Sequence, residues 1–424
     1  MLDPDESLQL PTQTRLRAAA SLARFWLVEF WEPSWDWHRR LALLRHYRAY
    51  LRNPPIPAEF QPESLNTEVV EAQRRFSSAY RARITAVQGA ARRTFDVHLT
   101  FRPVGKNLRL LGTAVRAGVD RGKRAVIRPG GPPDEVRMLA ARGDAWVPWL
   151  WARTGRGRGG APDHAGRAWN ELFVSPPADQ PLAPSEEPVP TLPRLAAGSG
   201  PFSCAHLETV LRVAAGTRYV FSPRSDIIAR VEEFKRASQW PTDGAPVLGI
   251  HVRRGDAAAA DPEPTKSTRQ SFSLATYLAA ADGLCERYGI RHIFLATESR
   301  DEVERAMTLR PQYTFLWLDY DRSVLPDIRT SNRFIEDLAL EQPERAKAIA
   351  TTGVFDLCCL ADCHAFIGAF NSEFSVLGWL LAIGSRGNVV PYVSLSRPAA
   401  TRHLHPFAAL LNRENNCPLE LYHW

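Results

Sequence analysis

The sequence predicts an α/β protein built around a doubly wound parallel sheet, on three observations. Short, almost wholly apolar runs alternate with helical patterns, polar turn-forming clusters follow those runs at their carboxyl ends, and no short-period repeat runs through the chain. The length of 424 residues exceeds one ordinary core and fits two domains plus an extension. We therefore expect a helical N-terminal extension over residues 1–74, a first Rossmann-like domain over 75–243 with Pro/Gly-rich loops, and a second over 244–424 with a C-terminal tail.

In order along the chain, residues 1–74 read as helical and aromatic. Trp26, Trp31, Trp35 and Trp37 precede the basic stretch Arg39 to Arg52, and packing of those tryptophans on the main body is favoured over a membrane-surface helix. Thr94 to Phe101 (TFDVHLTF) predicts a strand, Arg102 to Asn107 a turn, Leu108 to Gly118 a helix and Arg124 to Ile127 a second strand, together one βαβ unit. The glycines of Arg153 to Gly160 and the prolines between Pro176 and Pro193 exclude regular structure there. Helices near 205–214 and 225–237 lead to a break at Pro241 to Pro246 (PTDGAP).

Beyond the break, Val247 to Val252 (VLGIHV) is a buried strand of parallel type. Ser273 caps a helix reaching Tyr288, and His292 to Ala296 is the next strand. Ser299 and Glu302 are spaced as a capping box for a helix through Met307. Then come a strand over 314–318, a long helix from Pro343 to Cys363, a strand Ala365 to Gly368, a helix Ser375 to Ile383 and a strand Asn388 to Val393.

Composition narrows the class. Hydrophobic residues make up 45% and charged residues 23%, as in a globular protein. The net charge of +7 favours an anionic partner, but it is dispersed, and no basic tail of the nucleic-acid-binding kind is present. The six cysteines form no disulfide framework, and Cys358, Cys359, Cys363 and His364 lack a second ligand pair at zinc spacing; buried helix-face thiols are the expected reading. The most apolar early run, Phe25 to Trp31, contains Glu29 and is far short of the roughly 20 residues a membrane span needs.

Three polar clusters follow predicted strands, where an open parallel sheet binds its ligands. They are His251-Val252-Arg253-Arg254-Gly255-Asp256, Thr297-Glu298-Ser299, and Gly368-Ala369-Phe370-Asn371-Ser372-Glu373. Adjacent arginines leaving a buried strand call for an anion, and a guanidinium holds phosphate bidentately and stays charged. Asn371 and Ser372 add backbone N–H groups, a hydroxyl and a helix N-terminus, a second anion-binding device. An internal ion pair between Arg253 and Asp256 is the competing structural account.

HVRRGD, FLATE and AFNSEFS, in that order and spacing across roughly residues 247–393, resemble the α1,6-fucosyltransferase family of core-fucose and Nod-factor enzymes. HVRRGD and NSEFS are also similar to the α1,2-fucosyltransferase family. The resemblance implies a two-domain GT-B-like fold, GDP-fucose as donor, a glycan hydroxyl as acceptor, inversion at the anomeric centre and no metal or other cofactor. It implies that Arg253 and Ser372 hold the β-phosphate, that His251 lies near guanine and that Asp356 reads guanine; Arg254, Glu298, Asn371 and Glu373 complete the donor-binding set. Asp256, Asp261 and Glu263 are the carboxylates open as catalytic base.

The chain departs from the family pattern. Ala257 replaces a lysine, Ser299 replaces a second acidic residue, and Val376 replaces an arginine. An α1,2- or protein O-fucosyltransferase, or a catalytically inactive sugar-nucleotide binder, are the alternative readings. Asp319-Tyr320-Asp321 fits the DxD pattern of metal-dependent glycosyltransferases, but such a triplet arises by chance in a chain with 46 acidic residues. Trp146, Trp149 and Trp151 read as core residues before acceptor-stacking ones. Nucleic acid is not an expected partner. The compartment stays open, the Golgi lumen if an anchor precedes the chain and the cytoplasm otherwise.

Overall fold

The structure, a computed structural model, describes residues 59–62, 65, 68–90, 94–98, 104–120, 122–128, 172–173, 189, 192, 204–254, 272–320, 343–370 and 372–395. It is a mixed α/β protein with two sheets among the described residues. The smaller pairs β2 (Thr94–His98) in parallel with β3 (Arg124–Arg128), the two joined by helix α2 (Val104–Val119). This is the expected βαβ unit, with a correction: the stretch read as a turn from Arg102 to Asn107 is already helical at Val104. Helices α3 (Cys204–Val220) and α4 (Ser225–Ala237) follow.

The larger sheet carries the second half. Its strands are β1 (Glu59–Phe60), β4 (Val247–Val252), β5 (His292–Thr297), β6 (Thr314–Leu316), β7 (Ala365–Gly368) and β8 (Tyr392–Ser394), in the order β1-β8-β7-β4-β5-β6. All neighbours are parallel except β1, which lies antiparallel to β8 through Glu59–Val393 and Phe60–Tyr392. From β4 the chain steps outward through β5 to β6, then returns to the other side of β4 at β7 and continues to β8. That reversal makes the crevice beyond the carboxyl ends of β4 and β7 the topological switch point.

The connecting helices are α5 (Leu274–Tyr288), α6 (Arg300–Leu309), α7 (Pro343–Ala361) and α8 (Glu373–Arg386). Ser273 caps α5 as expected, its side chain accepting from the Thr276 N–H at 3.2 Å, and Gly289 ends it in the left-handed conformation (φ 65°). The capping box expected at Ser299 does not form. The Ser299 side chain makes no cap bond, and the Glu302 carboxylate is taken by Arg254 instead.

Strand β4 is buried along its whole length, and its alternation divides the core in two. Leu248, Ile250 and Val252 pack with Ile293 and Leu295 of β5 against α5 and α6. Val247 packs on the other face with Phe294 and Ala296, in an apolar cluster that also takes in α7, α8 and helices α1 (Glu68–Ala90), α2 and α3. These helices touch at glycines: a Cβ on Gly112 of α2 would lie 2.5 Å from Thr217 Oγ1 of α3, and one on Gly384 of α8 would lie 2.7 Å from the Ala214 carbonyl oxygen of α3. The boundary expected after residue 74 falls inside α1, and Glu59–Phe60 form an edge strand, β1, while residues 1–58 of the expected extension lie outside the described residues.

Candidate functional site

The alternation along β4 continues past its last residue and separates the two arginines. Arg254 turns toward α5 and α6. Its Nε donates to Glu302 Oε1 at 2.8 Å, one NH group donates to the Phe272 carbonyl at 2.8 Å, and its backbone N–H donates to Glu298 Oε2 at 2.9 Å. Arg254 and Glu302 side chains are 12% and 10% exposed, so this is a mostly buried ion pair. The structure places Arg254 and Glu298, both expected to bind the donor, in an internal network bracing the end of β4. Tyr277 of α5 joins it, its hydroxyl hydrogen-bonded to the backbone of Arg253.

By the same alternation Arg253 has the parity of His251, two residues before it, and its charge reaches that imidazole. The imidazole of His251 is buried; its Nδ1 is 2.6 Å from Ser375 Oγ, and its ring lies 4.7 Å from that of Phe374, both residues of α8. Burial, reinforced by the positive charge of Arg253, pushes the His251 pKa down to about 3, so the ring is neutral at any working pH. Gly353 of α7 reaches the same aromatic, a Cβ there falling 3.5 Å from Phe374.

Phe370, just after β7, packs against α8 and β8. The ring of Phe370 is 5.1 Å from Trp379 and 5.3 Å from Tyr392, and its N–H donates to Ser394 Oγ at 3.2 Å. Gly368 has no room for a side chain, since a Cβ would lie 2.9 Å from the Ser375 side chain. Ser372 is the N-cap residue of α8 and is buried, yet its hydroxyl makes no cap bond. Glu373, the first residue of α8, brings a carboxylate to the same helix end, so an anion bound there would need a cation such as Arg253 to balance it.

Asp356 lies on α7 and is 5% exposed. The hydroxyl of Tyr320, in the segment after β6, is 3.4 Å from Asp356 Oδ2 and 3.2 Å from the Thr297 carbonyl oxygen at the end of β5. His251 and Arg253 at the end of β4, Asp356 on α7 and Ser372 at the start of α8 thus come from three separate stretches of chain. Asp256, Asp261, Glu263 and Asn371 lie outside the described residues, as do Asp321, the tryptophans at 26–37 and 146–151 and the Arg153 to Gly160 loop. Asp319 is exposed beyond β6. Cys358, Cys359 and Cys363 are buried free thiols; burial pushes Cys358 up to about 12 and the other two upward as well, which leaves them packing groups. Among the described residues no helix is long and apolar enough to cross a membrane, and no group of three or more potential ligands converges on a metal position.

Sequence reasoning missed Phe374, Ser375, Tyr320, Tyr277 and Glu302. Phe374 and Ser375 stand inside the AFNSEFS motif, so the signal was present. Tyr320 was passed over as the middle of Asp319-Tyr320-Asp321.

No family model and no curated protein matches the chain. Among solved structures it is similar to NodZ α1,6-fucosyltransferase co-crystallised with GDP, at 15% identity and a TM-score of 0.35 over 68% of this chain and 92% of that one. It is similar to fucosyltransferase NodZ from Bradyrhizobium at 15% identity and a TM-score of 0.36, over 72% and 96%. POFUT1 in complex with GDP-fucose is a further neighbour, at 11% identity and a TM-score of 0.34 over 72% and 98%. Likenesses this slight do not bear on individual residues, whose roles rest on the geometry above.

Proposed function

We propose that this chain is an inverting fucosyltransferase that takes fucose from GDP-fucose to a glycan hydroxyl, of α1,6 type, on a GT-B-like scaffold with the donor in the half after residue 244. The observations that support this reading are that His251, which shares the strand parity of Arg253, meets α8 at Phe374 and Ser375, that α8 begins at Ser372, and that α7 carries the buried carboxylate of Asp356. A dispersed net charge gives no such focus, and a nucleic-acid surface would not place a carboxylate at its centre. The HVRRGD, FLATE and AFNSEFS motifs supply the same assignment by resemblance.

In this reading Arg253 and the α8 terminus hold the diphosphate and stabilise the charge that grows on it as the bond from fucose C1 to phosphate oxygen breaks. A carboxylate from Asp256, Asp261 or Glu263 takes the proton of the acceptor hydroxyl, whose oxygen attacks C1 from the face opposite GDP. No metal has a step in this scheme. Asp356 accepts from guanine N1–H and the 2-amino group together. The test is GDP release from GDP-fucose over a panel of N-glycan and chitin-oligosaccharide acceptors. Release with an N-glycan or chitin acceptor supports transfer. GDP binding without release on any acceptor would make the chain a sugar-nucleotide binder, and no binding of GDP would remove the reading.

A further inference from the structure

We propose that Tyr320 is a positioning residue for the Asp356 carboxylate, making the segment after β6 a determinant of which nucleobase the site prefers. The proposal rests on the reading of Asp356 as the base-binding carboxylate and extends it to a residue outside the motifs.

Tyr320 links two elements on the ligand side of the sheet. Its hydroxyl lies between the Thr297 carbonyl oxygen, 3.2 Å away at the end of β5, and Asp356 Oδ2, 3.4 Å away on α7. The ring packs against the apolar cluster of the α7–α8 face, and Thr297 is registered against Val252 at the end of β4. The donor is therefore carried on a partly buried ring beside a fixed strand end. A hydroxyl has one proton, and both neighbours here are acceptors, so the proton can be given to only one at a time. The ionised carboxylate is the stronger acceptor.

That placement matters because rotation of an Asp carboxyl group about its last torsion is soft, with a broad, roughly two-fold profile. A base that presents two adjacent N–H donors gains both bonds only if the carboxylate plane is held in line with them. A base with one donor is less demanding. Tyr320, engaging one lone pair of Oδ2, restricts the plane in which the carboxylate meets a ligand. Its effect should appear in the discrimination between two-donor and one-donor bases, and much less in affinity for the diphosphate.

The probes are GDP, IDP (which lacks the 2-amino group) and UDP, titrated against the full chain and its Tyr320→Phe variant, which keeps the ring. The wild type is expected to prefer GDP over IDP by about tenfold. Tyr320→Phe should reduce that ratio to about threefold or less, with UDP affinity and melting temperature nearly unchanged. In an Asp356→Asn background, adding Tyr320→Phe should change the GDP/IDP ratio by less than about twofold, because an amide cannot read the base as the carboxylate does. A wild-type preference that survives Tyr320→Phe, or a loss of equal size in the Asp356→Asn background, overturns the role of Tyr320 alone. Equal affinity of the wild type for all three nucleotides removes the base-reading role of Asp356 and this inference with it. If Tyr320→Phe does not fold, the Asp356→Asn comparison is made with Tyr320→Trp, which also lacks the phenolic donor, under the same two outcomes.

Discussion

The two adjacent arginines should behave as opposites when each is replaced by alanine. Arg254 and Glu302 form an ion pair at 2.8 Å with side chains only 12% and 10% exposed, and Glu302 Oε2 is already buried without a hydrogen-bond partner among the described residues. Arg254→Ala strands that carboxylate and frees the Phe272 carbonyl, which places the loss in the range of about 3–5 kcal/mol for a broken buried pair. Arg305, 3.8 Å from Glu302 Oε1 and 63% exposed, offers weak compensation and favours the lower end. Against a total stability of about 5–15 kcal/mol, the urea midpoint should fall by about 1 M or more. Arg253→Ala leaves the Arg254–Glu302 pair in place. Its midpoint should move by less than about 1 kcal/mol equivalent, while GDP release falls by about 10²–10³. Urea denaturation followed by tryptophan fluorescence, with turnover measured on the same preparations, separates the two. Loss of stability in Arg253→Ala with turnover retained, beside a wild-type midpoint in Arg254→Ala, would show that the strand parity has been assigned backwards.

Three further outcomes follow from the same site. GDP release should survive EDTA, because Arg253 and the α8 terminus balance the diphosphate; complete loss on chelation, restored by Mn²⁺, would bring Asp319 and Asp321 into the mechanism. GDP should outcompete ADP and UDP by at least about tenfold, and Asp356→Ala should weaken GDP toward the others while leaving UDP almost unchanged; equal competition in the wild type would end the guanine assignment. His251 has a folded pKa of about 3, below the ordinary value of about 6.5, so the unfolded chain gains a proton below pH 6.5 that the native chain refuses. Its contribution to stability is therefore present above pH 6.5 and lost as pH falls, by about 2 kcal/mol at pH 5. His251→Gln should remove that share of the pH dependence between pH 7 and 5, and identical slopes in both proteins would refute it.

What could be read from the residues alone follows physical lines. The boundaries of β4, α4 and β7 were legible because each is bounded by strong breakers and filled with residues of one period. Helix α1 was not. Its buried face, beside Phe76, Tyr80 and Ile84, includes Gln73, Ser77 and Gln88, which blur the apolar stripe. Gln73 accepts from the Val389 N–H at 2.9 Å, and Gln88 accepts from the Ala125 N–H at 3.1 Å. Those polar positions satisfy the backbone of distant segments, a duty no local pattern encodes. The same bond explains why the strand expected from Asn388 begins only at Tyr392: the Val389 N–H is taken by α1, and Pro391 has none to give. At the site, motif reading grouped Arg253 with Arg254 because they are adjacent in sequence. In space adjacency along a strand means opposite faces.

That parity also decides what the rest of the site has to do. On the α5–α6 side, Tyr277, Glu298, Glu302 and the Phe272 carbonyl take up Arg254 and the backbone on either side of it, so the end of β4 is fixed before any ligand arrives. On the α7–α8 side, the neutral His251 fills the space beneath Phe374 and Ser375 without adding a second positive charge. Had His251 been protonated, the face would attract anions of any shape. With Arg253, the α8 terminus and the buried Asp356 carboxylate in the roles proposed above, it instead suits a ligand that is anionic at one end and a hydrogen-bond donor at the other. A guanosine diphosphate has that polarity, whereas a uridine diphosphate does not present the paired donors. The claim for a guanine nucleotide thus depends on the separation of charge along one face of the sheet, and a variant such as Asp356→Lys, which makes both ends cationic, should bind GDP and UDP alike. A retained preference for GDP in that variant would mean that the base is read elsewhere.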